Sequence, residues 1–90
     1  MTYTVVWKPN AKSRLAAVWL ASGDRKAVTA AAHRVDLLLK TDPDTRGTIN
    51  FDTVRTLLVA PLGVEFEVIQ DDMLVFVLSV WDASANPAGP

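Results

Sequence analysis

Two apolar segments near the end of the chain decide its fold: Gly63-Val-Glu-Phe-Glu-Val-Ile69 and Met73-Leu-Val-Phe-Val-Leu-Ser-Val-Trp81. In the first, apolar residues alternate with Glu65 and Glu67, and this period of two is typical of a strand with one apolar and one polar face. The second is apolar throughout its first half, which indicates a strand covered on both faces in mid-sheet. A polar break, Gln70-Asp71-Asp72, separates the segments, so the sequence predicts a β-hairpin.

A two-residue turn at Asp71 and Asp72 determines which residues of this hairpin share a face, because residues directly opposite each other point to the same side. We expect one face to belong to the core, with Leu62, Val64, Phe66, Val68, Val75, Val77 and Trp81. The other face mixes carboxylates with large apolar side chains: Glu65, Glu67, Ile69, Leu74, Phe76, Leu78 and Val80. Such a mixture is an unusual surface to leave in water.

Composition limits the class of protein. The 90 residues suffice for one small domain, and an apolar fraction of 50% excludes a disordered chain. The sequence contains no cysteine, so it has neither a disulfide framework nor a thiolate metal site, and we predict a cytoplasmic location. We find no signal peptide, and no apolar run reaches the roughly 18 residues of a membrane span. No membrane association is therefore expected.

Charge is distributed unevenly along the chain. Residues 1–40 contain seven Lys or Arg side chains against Asp24 and Asp36, whereas residues 41–90 contain only Arg46 and Arg55 against eight acids. The net charge of -1 therefore hides a basic half joined to an acidic half.

The N-terminal half reads as a strand followed by two helices. Alternation from Thr2 to Lys8 predicts a strand, with Trp7 on its apolar side. Two amphipathic helices follow, the first capped by Asn10 and the second by Asp24. Trp19 falls on the apolar stripe of the first helix and is expected in the core.

The remaining segments complete an α+β fold. Residues 41–52 are rich in Asp, Pro and Gly and predict a loop, whereas residues 53–59 alternate like a strand. We predict an N-terminal strand, an antiparallel helical hairpin, and then a three-stranded antiparallel meander whose last strand is central. Residues 1–83 form the single domain, and residues 84–90 form a flexible tail.

A series of short motifs lies in order along residues 2–82. It comprises Tyr3-x-Val5-x-Trp7-x-Pro9-x-Ala11 leading into Leu15 and Trp19, Asp36-x-Leu38-Leu39 with Asp42-Pro43 and Gly47, Val54-Arg55-x-Leu57, Pro61-Leu62-x-Val64-x-Phe66, and Val75-x-Val77-Leu78-x-Val80-Trp81. Together these motifs resemble the RelE/ParE superfamily of toxins from type II toxin–antitoxin systems, which includes plasmid stabilisation proteins.

The resemblance implies a domain that inhibits growth and is neutralised by a cognate antitoxin. Free members act either as ribosome-dependent mRNA endoribonucleases or as inhibitors of DNA gyrase, so either target is implied as a partner. A homodimer, or a heterotetramer with the antitoxin, is the implied assembly. No cofactor is implied.

The sequence departs from the nuclease pattern at two places. Nuclease members of the superfamily usually have an arginine at the start of the third strand, where this chain has Gly63. They also have a basic run after the last strand, where this chain continues from Trp81 into Asp82-Ala83-Ser84. Glu65 and Glu67 would also repel phosphate. We therefore predict action by binding, closer to gyrase inhibition, and leave enzymatic activity undecided.

Three groups of residues are candidate sites. Arg55 is the candidate catalytic group if it lies on the uncovered face, and its structural alternative is an ion pair with Glu65 or Glu67. Lys12 and Arg14 are candidate target-binding or nucleic-acid-binding residues, and the alternative is a solvated helix face. Asp residues in the 41–52 loop lack the ordered ligand set of a calcium loop, so no metal site is predicted.

The third group is the predicted partner-binding surface, formed by Glu65, Glu67, Ile69, Leu74, Phe76 and Leu78. If no helix covers this face, it suits a basic and apolar antitoxin segment, which would also occupy the groove beside the first helix. The alternatives are a second copy of the chain, or the C-terminal tail, as the cover. Two further functions stay open: a nuclease that uses Arg55 in an unfamiliar arrangement, and a degenerate, non-toxic interaction module.

Overall fold

The computed structural model describes residues 2–86, which form two layers, a pair of helices and a five-stranded sheet. The elements are β1 (Thr4–Trp7), α1 (Pro9–Ala21), α2 (Arg25–Thr41), a 3₁₀ turn (Pro43–Thr45), β2 (Thr48–Phe51), β3 (Val54–Val59), β4 (Leu62–Ile69) and β5 (Leu74–Asp82). The predicted α+β order is confirmed.

One strand lies inside the segment predicted to be a loop. β2 pairs antiparallel with β3, so the meander has four strands and not three. Gly47 and Asp52, at its two ends, have positive φ angles of 64° and 51°, which the chain needs to enter and leave so short a strand. The Asp, Pro and Gly residues predicted the turns at the two ends of this segment correctly. The β-branched and aromatic residues between them, which favour a strand, were overlooked.

The sheet order is β1-β5-β4-β3-β2. β1 pairs parallel with β5, and each of the other neighbouring pairs is antiparallel. β5 therefore lies between β1 and β4, in the interior of the sheet, which explains its uninterrupted apolar run.

The two helices begin at different kinds of residue. Asp24 caps α2 as predicted, because its Oδ1 accepts a hydrogen bond from the Ala27 backbone N–H at 3.1 Å. α1 begins earlier than expected, with Pro9 in its first turn, so the prediction that Asn10 caps it was wrong. Asn10 instead donates from Nδ2 to the carbonyl oxygen of Leu78 on β5, at 3.4 Å.

Both helices pack on one face of the sheet, and the core lies between the two layers. Its buried residues are Tyr3, Ala11, Val28, Ala31, Val35, Leu39, Leu62, Val64, Phe66, Val75, Val77 and Val80. A side-chain hydrogen bond joins β1 to α2, and an ion pair lies within α2. The Trp7 Nε1–H donates to Asp36 Oδ1 at 3.3 Å, and Lys40 Nζ lies 3.0 Å from the other oxygen of Asp36.

A bulge in the β4–β5 hairpin changes which residues share a face. The predicted pairing holds from Ile69 opposite Leu74 to Phe66 opposite Val77, and it then shifts by one residue, with Leu78 as the extra residue of β5. Val80 consequently lies opposite Val64 in the core, and Trp81 moves to the other face of the sheet. Both residues were predicted on the wrong face, because the strict alternation assumed no bulge.

The C-terminal end of the described chain folds back on the hairpin. The Ala83 N–H donates to the Pro61 carbonyl oxygen at 2.8 Å, and the Asn86 N–H to the Asp82 carbonyl oxygen at 2.9 Å. Residues 87–90, the rest of the predicted tail, lie outside the described residues. None of the helices in residues 2–86 has the length and apolar character to cross a membrane.

Candidate functional site

The face of the sheet opposite the helices is the candidate site, and we call it the open face. Within residues 2–86 neither helix packs on it. Strand register assigns to it the alternate residues Thr4, Val6, Val54, Thr56, Leu58, Gly63, Glu65, Glu67, Ile69, Leu74, Phe76, Ser79 and Trp81. The sheet therefore has one face that the helices cover and one that they do not, as predicted.

The structure brings five of the six predicted partner-binding residues together on the open face. Neighbouring positions of β4 and β5 hold Glu67 opposite Phe76 and Ile69 opposite Leu74, with Glu65 one step further along β4. All five are half-buried. The sixth, Leu78, is the unpaired residue of the bulge and is also half-buried, so the register gives it no place on this face.

Three exposed apolar residues that the sequence pattern did not single out lie near this surface. Val6 on β1 is 37% exposed, Leu58 on β3 is 55% exposed, and Phe51 on β2 is 61% exposed. Val6 lies in a predicted strand, but it was not assigned to either side of that strand. Phe51 was placed in a predicted loop. Apolar surface therefore extends across the open face from β1 to β2.

Trp81 fills the part of the open face where β4 begins. It lies opposite Gly63, and a Cβ atom added to that glycine would come within 2.4 Å of the indole Cε2 atom. Only a residue without a side chain permits this approach. Trp81 is 6% exposed, and its buried Nε1–H has no hydrogen-bond partner among the described residues. The indole thus lies flat over the glycine.

Carboxylates dominate the charge of the open face. Glu65 and Glu67 both lie on it, and Glu67 accepts a hydrogen bond from the Thr53 hydroxyl. A positive charge approaches at one margin, where Lys8 Nζ lies 4.3 Å from the centre of the Phe76 ring. No Lys or Arg occupies an open-face position in the strands of residues 2–86. Phosphate would meet net repulsion here.

Arg55 lies on the opposite side of the sheet from the position that its candidate catalytic role required. It is paired with Phe66 in β4 and Ile49 in β2, so it shares the helix-covered face. Its Nη1 donates to the carbonyl oxygen of Arg46 at 3.4 Å. β3 begins at Val54 opposite Glu67, so the alternation places Arg55 on the covered face, and the condition set for its catalytic role is not met. Glu65 and Glu67 lie across the sheet from Arg55.

The candidate target-binding residues lie on the helical layer. Lys12 and Arg14 are exposed on α1, far in the fold from the open face. Trp19, predicted in the core, is 39% exposed on the outside of the helical hairpin. In residues 2–86, no three His, Asp or Glu side chains are grouped so that they could hold a metal ion.

The end of β5 contains a carboxyl with a shifted pKa. Hydrogen bonds from the Ser84 hydroxyl, and then from the Ser84 backbone N–H at 2.9 Å, lower the pKa of Asp82 below its ordinary value. These bonds stabilise the charged carboxylate. β5 therefore ends in a stabilised carboxylate and not in a basic residue.

Comparison with solved structures identifies the fold. Over 91% of this chain and 92% of the other, it is similar to a chain of the toxin–antitoxin complex RelBE2 from Mycobacterium tuberculosis, with a TM-score of 0.77 and 14% identity. A chain of the chromosomal ParDE system from P. aeruginosa gives a TM-score of 0.72 at 21% identity, over 90% of this chain and 96% of that one.

A third similar structure is a free toxin. A double mutant of the E. coli toxin RelE in the free state matches with a TM-score of 0.66 and 16% identity, over 97% of this chain and 90% of the other. Neither a protein-family model nor a curated protein matches the sequence. The fold expected from the motifs is therefore confirmed, because these solved toxin and toxin–antitoxin structures share it.

Proposed function

We propose that this chain, whose fold is that of the RelE/ParE toxins, is the toxin component of a type II toxin–antitoxin system. Its cognate antitoxin neutralises it by covering the open face with a basic and apolar segment. Toxin–antitoxin complexes are among the solved structures that it resembles, which supports a partner of this kind. The proposal includes a cytoplasmic location and assembly with the antitoxin.

The composition of the open face carries this proposal. Large apolar side chains such as Phe76 and Leu58 lie beside the carboxylates Glu65 and Glu67 on a surface without a helical cover in residues 2–86. A partner gains from burying the apolar groups, and basic side chains on that partner complement the carboxylates. A strand or helix of suitable length can supply both features.

The same face argues for action by binding and against RNA cleavage. Phosphodiester cleavage needs cationic groups aimed at the charge that develops on phosphate. Here an indole lies over Gly63, two glutamates follow along β4, and Arg55 is on the other side of the sheet. An inhibitor that binds a protein target such as DNA gyrase does not need those cations.

Expression from a tightly repressed promoter, with and without the product of the adjacent reading frame, tests the proposal. We expect growth arrest from the chain alone, relief by the neighbour's product, and a complex that co-purifies. Primer extension on mRNA should find no discrete cuts after induction. Codon-level cuts that vanish in Arg55→Ala would favour the nuclease, and growth without arrest or complex would reject the toxin.

Charge reversal on the open face tests where the antitoxin binds. Glu67→Lys should weaken the complex roughly tenfold, because it replaces attraction by repulsion at a half-buried position. Glu67→Gln keeps an acceptor for Thr53 and should lose less. Asp44→Lys makes the same charge change on an exposed loop residue outside the open face and serves as the matched control. Equal losses in Glu67→Lys and Asp44→Lys would place the antitoxin elsewhere.

A further inference from the structure

The outer surface of the helical hairpin has a groove with Trp19 at its centre. One hollow, of about 360 Å³, lies between α1 and α2 and is lined by Leu15, Ala16, Val28 and Ala32 on one side of the indole. A second hollow, of about 460 Å³, lies on its other side. We call the two hollows together the Trp19 groove.

Trp19 is held in a fixed position, although it is 39% exposed. Its Nε1–H donates to Thr29 Oγ1 on α2 at 3.2 Å, which joins the two helices across the groove. The Arg25 guanidinium lies 4.6 Å from the ring centre and also donates to the backbone carbonyl oxygens of Trp19 and Leu20, at 3.2 and 3.1 Å. The wall is therefore ordered before any partner arrives, which lowers the entropic cost of binding.

Alanines form much of the floor of the groove. Ala16 and Ala32 line the first hollow, and Ala30 lines the second. Small side chains at these positions leave room for larger ones from another molecule. Leu20, at the end of α1, adds exposed apolar surface next to Trp19, at 63% exposure. An apolar floor of this size suits the aliphatic or aromatic anchors of a polypeptide.

The rim of the Trp19 groove is basic. Lys12 borders the first hollow, and Arg25, Lys26 and His33 border the second. Within residues 2–86 no Asp or Glu lines either hollow. Charge complementarity therefore selects an acidic occupant, the opposite of the occupant that suits the carboxylates of the open face.

We propose that the Trp19 groove binds an acidic amphipathic segment of another polypeptide, with apolar anchors in the two hollows and carboxylates facing Lys12 and Lys26. A nucleic acid fits less well, because the hollows are lined mainly by apolar side chains and Arg25 already stacks on the indole. The inference extends the proposed function to a second surface. It depends on the helical hairpin alone and not on how the open face behaves.

Two synthetic peptides with the same leucine stripe test the charge preference. One has glutamates on the flanks of the stripe, and the other has lysines at the same positions. Each is titrated into the full ¹⁵N-labelled chain, and the indole N–H signals of Trp19 and Trp81 are followed. We expect the acidic peptide to shift the Trp19 signal, to leave the Trp81 signal unchanged, and to bind roughly tenfold more tightly than the basic peptide.

Charge-reversed variants separate the groove from general attraction. The double variant Lys12→Glu/Lys26→Glu should reverse the preference, so that the basic peptide binds more tightly. The control Arg14→Glu/Arg34→Glu changes net charge equally at exposed helical residues that line neither hollow. It should keep the preference for the acidic peptide. Loss of the preference in both double variants would mean only long-range attraction and would overturn the proposal.

A hollow-filling variant tests the apolar anchors without changing charge. Ala16→Leu should weaken acidic-peptide binding about tenfold, because the leucine occupies the first hollow. Ala17→Leu adds the same exposed side chain one residue away, outside the lining, and should bind like the parent. Equal binding by both variants would reject the hollow as an anchor site. If a single-stranded oligonucleotide shifts the Trp19 signal and neither peptide does, the occupant is a nucleic acid and the proposal is overturned.

Discussion

The two faces of the sheet differ in burial and in composition. The helix-covered face contributes fully buried residues such as Phe66 and Val77 to one continuous core, whereas the open face places half-buried Phe76 beside carboxylates. Both faces are formed by the same strands, because successive side chains of a strand point to opposite sides of the sheet. Apolar side chains in one strand therefore fill the core on one side, and on the other side they form the surface that we propose the antitoxin covers. The following predictions test that division.

The largest effect is expected from shortening matched phenylalanines on the two faces. Phe66→Ala should lower the free energy of unfolding by about 3–5 kcal/mol, because Phe66 has no exposed surface and a cavity remains. Phe76→Ala, on the half-buried open face, should cost about 1–1.5 kcal/mol. Urea denaturation of both variants measures the difference. Equal costs would mean that the open face is as much a part of the core as the covered one.

A second test adds a methyl group beneath Trp81. Gly63→Ala should destabilise the chain by about 1–3 kcal/mol, because the new Cβ lies within 2.4 Å of the indole and the ring must shift. Gly23→Ala is the matched control, since no atom lies within 4 Å of its Cβ position, and should change stability by less than about 0.5 kcal/mol. Thermal unfolding followed by circular dichroism compares the two. A neutral Gly63→Ala would contradict the close packing of Trp81.

Tryptophan-to-phenylalanine changes on the two faces give a smaller contrast. Trp7→Phe removes the hydrogen bond to Asp36 on the covered face, worth about 0.5–1.5 kcal/mol. Trp81→Phe removes a similar volume but only an unpartnered, buried N–H. We therefore expect Trp81→Phe to be the less costly variant by about 1 kcal/mol. Chemical denaturation checks the order, and the reverse order would imply a partner for the Trp81 indole.

The smallest effect is expected on the pKa of Asp82, the last residue of β5. Ser84→Ala should raise the pKa of Asp82 toward its ordinary value, because the hydroxyl that stabilises the carboxylate is lost. Since the folded-state pKa of Asp82 is lowered, its contribution to stability is present above about pH 4 and is lost as the pH falls through the folded pKa. Carboxyl NMR titration of parent and variant measures the shift, and identical pKa values would exclude the bond.

Periodicity predicted most of the fold and most of the face assignments in the hairpin. The capping role of Asp24, the helical hairpin and the interior position of β5 followed from local patterns. The bulge at Leu78 did not, because an apolar run reads the same in either register. That one shift moved Val80 into the core and Trp81 out of it, although Gly63, a glycine within a strand, was the available signal for a close approach.

The candidate site was predicted in composition but not in detail. Glu65 and Glu67 were assigned correctly, because β4 alternates cleanly. The side of Arg55 was left open by the sequence, and the pairing of Val54 with Glu67 places it on the covered face. Trp19 was misplaced because a helical stripe predicts an apolar contact without saying whether the second helix covers it.

The position of β5 also has a consequence for biosynthesis. Among the described residues, β1 is made first but finds its neighbour in the sheet only in the last strand to leave the ribosome. Closing so long a loop is entropically costly, so we expect β1 and β5 to pair late in folding. A chain truncated before residue 74 would contain the sequences of both helices but lack the strand on which α1 and β1 pack.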